Sequence, residues 1–323
     1  MVEKTEQIKG TSLWRDAWRR LLKNRLAVFG MIVLALMILL VAIGPIVIRL
    51  TTGITADYVP SQVDEGDLVH SFPPSLQHPM GTDEAGRDLF ARVLQGGRIS
   101  LMVGLISTLV SLLVGVSYGA IAGYLGGRVD NIMMRIVDMI YAIPYILIVI
   151  VLLSIFGGPN TPAFIAQLSE TFGGAGNQGL SQIFLLFFSL GLISWLTMAR
   201  VVRGQILSLK NEEFVLAAKA LGVSTFGIIF RHLVPNALGP VIVYATLTVP
   251  SVMLSEAFLS FLGMGVQAPY ASWGSLAADG IKNISIFTWQ LIFPGVTMAL
   301  TLFSLNFLGD GLRDALDPQT RKF

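Results

Sequence analysis

The stretch LAVFGMIVLALMILLVAIGPIVI, residues 26–48, carries no charged side chain over 23 positions. As a helix rising about 1.5 Å per residue it reaches roughly 35 Å, enough to cross a hydrocarbon core of about 30 Å. Five cations cluster just before it: Arg15, Arg19, Arg20, Lys23 and Arg25. Such a flank also suits a secretory leader. The apolar run is longer than a leader core of about 7–15 residues, however, and Pro45 follows the small-residue cleavage candidate Ala42-Ile43-Gly44. The reading is an uncleaved transmembrane helix.

Outward from this stretch, further uncharged apolar runs lie at about 99–125, 139–157, 183–199, 237–255 and 286–309. The sequence therefore predicts an all-α, polytopic membrane protein with six spans. Composition agrees, since 54% of the 323 residues are hydrophobic and 13% charged, where a soluble domain carries about a quarter charged. The 22 Lys and Arg nearly offset the 20 Asp and Glu, so no nucleic-acid face is implied. Without cysteine there is no disulfide, thiolate nucleophile or cysteine metal site. His70, His78 and His232 are too scattered for a metal cluster. Membrane lipid is the surrounding partner that this composition requires.

The distribution of Lys and Arg orients the spans. With the N-terminus inside, the cytoplasmic segments hold seven in the leader, two in 128–135, five in 200–231 and three in the tail. Arg49, Arg87, Arg92, Arg98 and Lys282 remain outside, three of them just before the second span. The chain then divides into a cytoplasmic segment 1–25, a first span 26–50, an external segment 51–98, a core 99–309 and a cytoplasmic tail 310–323. Within the core a cytoplasmic loop occupies 200–236, and external loops fall at about 158–182 and 264–285. Pro60, Pro73, Pro74 and Pro79 make the first external segment an irregular one, and Gly173, Gly174, Gly176 and Gly179 loosen the next.

Several local patterns point to mechanism. Ser107, Ser111, Gly115, Gly119, Gly123 and Gly127 recur every four residues, a stripe on which another helix can approach closely, within the chain or across a dimer. Arg135 and Asp138 stand three apart, where an ion pair can form near lipid. Glu256 sits among apolar residues near the external end of the fifth span, either hydrogen-bonded at the interface or in a pathway or gate. Pro240, Pro250 and Pro294 are candidate bends in the last two spans.

The cytoplasmic loop is the most informative segment. Residues 212–222, EEFVLAAKALG, read as a short helix with Glu213 in its first turn and Gly222 as its left-handed terminator. Phe214, Ala217, Ala218 and Leu221 follow i, i+3, i+4, i+7 spacing and predict one apolar face with small residues at its centre. Pro235 suits the first turn of the following span, beside Asn236. Between membrane spans such a face has little core to enter, so a partner's groove is its destination.

Ala217-Ala218, Gly222 and Pro235 keep the spacing of the coupling motif of ATP-binding-cassette importer permeases, while Leu216 replaces its leading acid and His232 its first terminal hydrophobic residue. Arg231-His232-Leu233-Val234-Pro235-Asn236 resembles the ending used by peptide importers. Three further segments are similar to their C-type permeases: residues 78–83 (HPMGTD) with Gly86-Arg87-Asp88, residues 261–263 (FLG) through Gln267, Pro269, Trp273 and Gly274, and residues 309–318 (GDGLRDALDP). The resemblance runs from about residue 12 to 318, with the oligopeptide type slightly nearer than the dipeptide type.

The resemblance implies a type I importer permease in the bacterial inner membrane, with a B-type permease, two cytoplasmic ATPases and an external or periplasmic substrate-binding protein as partners. It implies that ATP and Mg are bound by the ATPases and that this chain has no cofactor. Independently, no Gly-x-x-x-x-Gly-Lys-Ser/Thr phosphate loop occurs in the sequence. Peptides are the implied substrate, with glutathione or a metal chelate as alternatives on the same architecture. Two other classes fit less well. A membrane-embedded enzyme lacks its motifs here, and a secondary transporter would call for more ionisable residues at mid-span.

Overall fold

A computed structural model describes residues 13–56, 71–156 and 178–316, together with Ala163 and Gln167. Gly173, Gly174 and Gly176 of the expected loop and Pro60 lie outside the described residues, as do the first twelve and last seven positions, whereas Gly179, expected in that loop, falls in the first turn of the helix Gln178–Leu209. Among the described residues the fold is helical. A short helix α1 (Leu13–Lys23) precedes α2 (Arg25–Thr52), α3 (Leu89–Leu125), α4 (Gly127–Tyr141), α5 (Tyr145–Phe156), α6 (Gln178–Leu209) and α7 (Glu213–Ala220). A long α8 (Thr225–Phe261) follows, then α9 (Trp273–Lys282) and α10 (Trp289–Leu316). Five of these helices, α2, α3, α6, α8 and α10, are long and apolar enough to cross a membrane.

The third expected span takes another form. Pro144 has no amide hydrogen to continue α4, and α4 and α5 meet at 82°, so the sixth crossing exists only if the bent pair counts as one span. At about 1.5 Å per residue, α5 alone covers roughly 18 Å, well short of a bilayer core.

The second span begins earlier than its apolar run suggests. Asp88 caps α3 by accepting from Ala91 N at 2.7 Å, and Arg92 and Arg98 lie inside the helix rather than in the external segment. The last span also runs on, with α10 continuing to Leu316 in what reads as tail.

Pro45 sits inside α2 and leaves the Val41 carbonyl without its usual amide donor. Arg98 of α3 fills the gap, its Nε donating to Val41 O at 2.8 Å and its Nη2 to Ala42 O at 2.7 Å. Two apparent liabilities, a proline and a cation in apolar helices, thus satisfy each other.

The small-residue stripe of α3 is a groove for α6. A Cβ added at Gly115 would lie 2.6 Å from Met198 Cβ, one at Gly119 2.3 Å from Ala199 O, and one at Gly123 3.0 Å from Arg203 O. Ser107 reinforces the seam by donating to Phe187 O at 2.8 Å. The stripe therefore serves packing within the chain. Gly127 does not belong to it: α3 stops at Gly126, and Gly127, at φ +55, faces open space.

Candidate functional site

The helix predicted in the loop is α7, and its ends are built as expected. Glu212 occupies the extended capping position and Glu213 the first turn. Gly222 takes φ +77, while Gly222 N donates to Lys219 O and Val223 N to Ala218 O. That hydrogen-bond pair is a Schellman termination, which needs a left-handed residue at the glycine.

The face of α7 differs from the expected one. Val215 and Ala218 are buried in a cluster with Ile206 of α6 and Ile228, Ile229 and Leu233 of α8. Phe214 and Ala217 are exposed, and Leu221 is 83% exposed, with Leu216 and Phe226 also in the open. Ala218 is thus an inward anchor rather than part of the outer face. The helix sequence EFVLAAKA is apolar almost all round, so spacing alone does not choose between its sides. Lys219 lies over the Tyr124 ring of α3 at 5.3 Å from its centroid.

The connection from α7 into α8 holds a feature that the sequence reading missed. Residues Ile228–Leu233 form a π-helical turn, in which Val234 N reaches Ile229 O. Pro235 gives the reason: its ring would crowd the Arg231 carbonyl in a regular helix, and widening the turn relieves it. Pro235 and Asn236 are exposed, and Asn236 Nδ2 donates to His232 O at 2.6 Å. The signal in sequence was the proline itself, read only as a helix start.

Beside this region, the two aspartates of α4 find partners on α6. Arg203 holds Asp130 through two contacts of 2.5 and 2.6 Å. Arg200 pairs with Asp138 at 2.7 Å and covers the Tyr141 ring. The expected Arg135–Asp138 pair is replaced by this longer-range one, because α6 projects past the apolar core and brings Arg200 alongside.

At the opposite end of the bundle, residues 71–88 fold into a compact knot. Phe72 and Thr82 exchange backbone and hydroxyl hydrogen bonds, and Leu89 N donates to Gly81 O. Asp83 accepts from Arg87 at 2.8 Å and lies 3.3 Å from buried Arg92, while Asp88 pairs with His78 at 2.8 Å. Trp289 and Gln290 at the start of α10 both donate to Thr82 O. At Gly81, φ +74, a side chain would strike Phe72 O and Trp289, so the turn requires glycine.

Glu256 lies deep between α8 and the start of α9. It is 1% exposed, and its Oε1 accepts from Ser260 Oγ at 2.8 Å and Ser272 Oγ at 2.6 Å. Ser272 in turn caps α9 in a reciprocal capping box with Ser275. The next residue, Trp273, is fully buried, its indole donating to Val93 O and its backbone N to Ser100 Oγ. Gly274 packs against Ala257 and Glu256, where a Cβ would meet Ala257 Cα at 2.5 Å. Glu256 therefore fixes α9 onto the bundle, and in this conformation it presents no surface to a pathway or gate.

Comparison with known proteins places this geometry in context. The sequence model of the family described as "Binding-protein-dependent transport system inner membrane component" matches residues 115–322, and that of the "N-terminal TM domain of oligopeptide transport permease C" matches residues 12–71. The chain belongs to this permease family. The permease is 47% identical to the oligopeptide transport system permease protein OppC of Escherichia coli (strain K12) over 98% of its own length and 94% of the relative's. It is 44% identical to the dipeptide transport system permease protein DppC of Bacillus subtilis (strain 168), over 96% of this chain and 87% of that one. The OppC of Haemophilus influenzae is 43% identical over 98% and 91%. Both matched regions take in described structure: the N-terminal match covers α1 and α2, and the longer one covers the glycines of the α3 groove, α7, Glu256 and α10.

Proposed function

We propose that this permease forms one half of a peptide pathway through the plasma membrane, with a B-type permease as the other half. Two cytoplasmic ATPases sit beneath it, binding the ATP and Mg, and an external binding protein delivers the peptide. The names of the relatives, which are oligopeptide and dipeptide permeases, support the substrate class. The carrying observation is the exposed apolar face of α7, Phe214, Ala217 and Leu221, held on a short helix whose reverse side is locked to α6 and α8. A surface of that kind transmits displacement: a partner gripping it pulls on the start of a span rather than on a loose loop.

The orientation follows the charges, with both termini cytoplasmic and α7 on the ATPase side. Three of the five external cations weigh less against it, because Asp83 offsets part of the charge of Arg87 and Arg92, and the donors of Arg98 are satisfied by backbone carbonyls of α2. The domain division is kept in modified form, with the core beginning at Leu89 and ending at Leu316. Gly222, Pro235 and Asn236 then set the angle at which force enters α8.

The test is uptake and subunit retention in an Ala217→Trp variant. Its bulk falls on the exposed side, so membrane insertion persists while the ATPases dissociate or hydrolyse ATP without transport. Normal uptake at wild-type abundance would remove α7 from this role. Native mass spectrometry of the same preparation reads one copy of this chain beside a different permease, and two copies with no second permease would refute the pairing.

A further inference from the structure

Helix α1 is divided lengthwise into three arcs. At 3.6 residues per turn, Ala17 and Leu21 point one way and are buried against Leu308, Leu312 and Ala315 of α10. Trp18 and Leu22 form a second arc, 56% and 50% exposed. Arg15, Arg19 and Lys23 form a third, adjoining the second, and all are exposed. Among the described residues no carboxylate pairs with any of these three cations. A single residue, Asn24, separates α1 from α2, its side chain accepting from Leu26 N and Ala27 N. Beyond it the exposed apolar series continues at helical spacing through Leu26, Phe29 and Ile32 of α2, a helix long and apolar enough to cross a membrane.

We propose that α1 lies in the headgroup layer of the cytoplasmic leaflet, with Trp18 and Leu22 dipping to the acyl boundary and Arg15, Arg19 and Lys23 contacting the phosphates of anionic phospholipid. Two observations choose lipid over a protein partner. The apolar arc is continuous with the exposed apolar side of α2, a helix of membrane-spanning length and hydropathy, and the cations flank that arc as an interfacial helix requires. The contact also has a consequence within the fold. A Cβ added at Gly311 would lie 2.3 Å from Ala27 Cβ and 3.0 Å from Leu21 Cδ1, so α1 and the start of α2 sit hard against the end of α10. Anionic lipid thereby braces the end of α10 nearest the ATPases. This part rests on the proposed orientation.

The chain has no cysteine, so Leu22→Cys gives it a single thiol for a nitroxide. The complete transporter, purified with its co-assembling subunits, is placed in vesicles of phosphatidylcholine alone, of phosphatidylcholine with phosphatidylglycerol, or with a cationic lipid. In phosphatidylglycerol the nitroxide should be relaxed by dissolved oxygen and shielded from an aqueous nickel chelate. The balance should move toward water in the other two lipids, by roughly fivefold for each cation engaged. The Arg15→Gln, Arg19→Gln, Lys23→Gln variant in phosphatidylglycerol should match wild type in phosphatidylcholine. Equal accessibility in all three lipids would overturn the proposal without relying on any charge variant. So would shielding from both reagents whatever the lipid, which would assign the arc to a protein subunit. Labelling Ser12→Cys with an impermeant maleimide from each side separately tests orientation: reaction from the external side alone would sink that reading and with it the cytoplasmic assignment, while leaving the lipid measurement intact.

Discussion

At the end of the bundle bearing residues 71–88, Asp83 answers Arg87 and Arg92, Asp88 answers His78, and Thr82 O receives both Trp289 and Gln290. At the α7 end, Phe214, Leu221 and Phe226 stand in the open, with no described residue of this chain covering them. The charged groups of the first region find partners within the chain, although Phe72 and Leu76 stand exposed at its edge; the second is finished only on its inner side. The contrast separates what holds the chain together from what it offers to others. Substitutions in the knot should register as lost stability, and substitutions on the outer face of α7 as lost coupling.

Removing Asp83 should break the knot most severely. Asp83→Ala strips the carboxylate from buried Arg92 and from two backbone amides, Ala85 N and Arg87 N. Arg92 keeps its other contacts but loses this carboxylate, and breaking a buried ion pair by removing one partner costs up to about 3–5 kcal/mol. The expected outcome is a large drop in thermal stability of the detergent-solubilised protein, read by the temperature at which half aggregates. A variant as stable as wild type would mean that the ion pairs are ornamental.

A smaller effect is expected at Glu256. In Glu256→Gln the side chain keeps its shape and its oxygen can still accept from Ser260 and Ser272, but an amide NH2 replaces the second carboxyl oxygen beside Gly274, and a buried donor left without a partner costs about 1–3 kcal/mol. Stability should fall modestly and α9 should become more open to protease from the outside. Transport should fall no further than this loosening explains. If uptake vanished while stability and protease resistance stayed intact, Glu256 would be a pathway group after all.

The least effect on the isolated chain is expected at Leu221. Leu221→Ser on a surface 83% exposed should change stability by no more than about 0.5 kcal/mol. The same variant should lower ATP-driven uptake several-fold in the assembled transporter. A stability loss comparable to that of Asp83→Ala would show that the outer face of α7 is packed by this chain, and the contrast between the two ends would fail.

The sequence was most legible where a local pattern carries the physics. Uncharged runs marked the five long spans, though not the bend at Pro144, and Gly222 marked the end of α7 because only a left-handed residue closes that turn. It was least legible where a partner is distant. Arg92 and Arg98 looked external because Asp83 and the carbonyl released by Pro45 are not visible as partners in a linear reading. Arg135 looked like the mate of Asp138 because Arg200, 62 positions away, was out of view. Gly127 kept the four-residue rhythm of the groove although the helix had already ended. For α7 the difficulty was chemical: an eight-residue helix with apolar groups on nearly every side has no preferred face until its neighbours are known.

The bond between Arg98 and α2 bears on how the protein is made. Ribosomes deliver α2 to the membrane well before α3, so the Val41 carbonyl enters the bilayer without a donor, a state costing about 1–3 kcal/mol for a buried polar group. Arrival of α3 removes that penalty, whereas α10, which also packs on α2, emerges last. The α2–α3 pair thus satisfies the carbonyl freed by Pro45 with a donor from the very next span, needing nothing from α10.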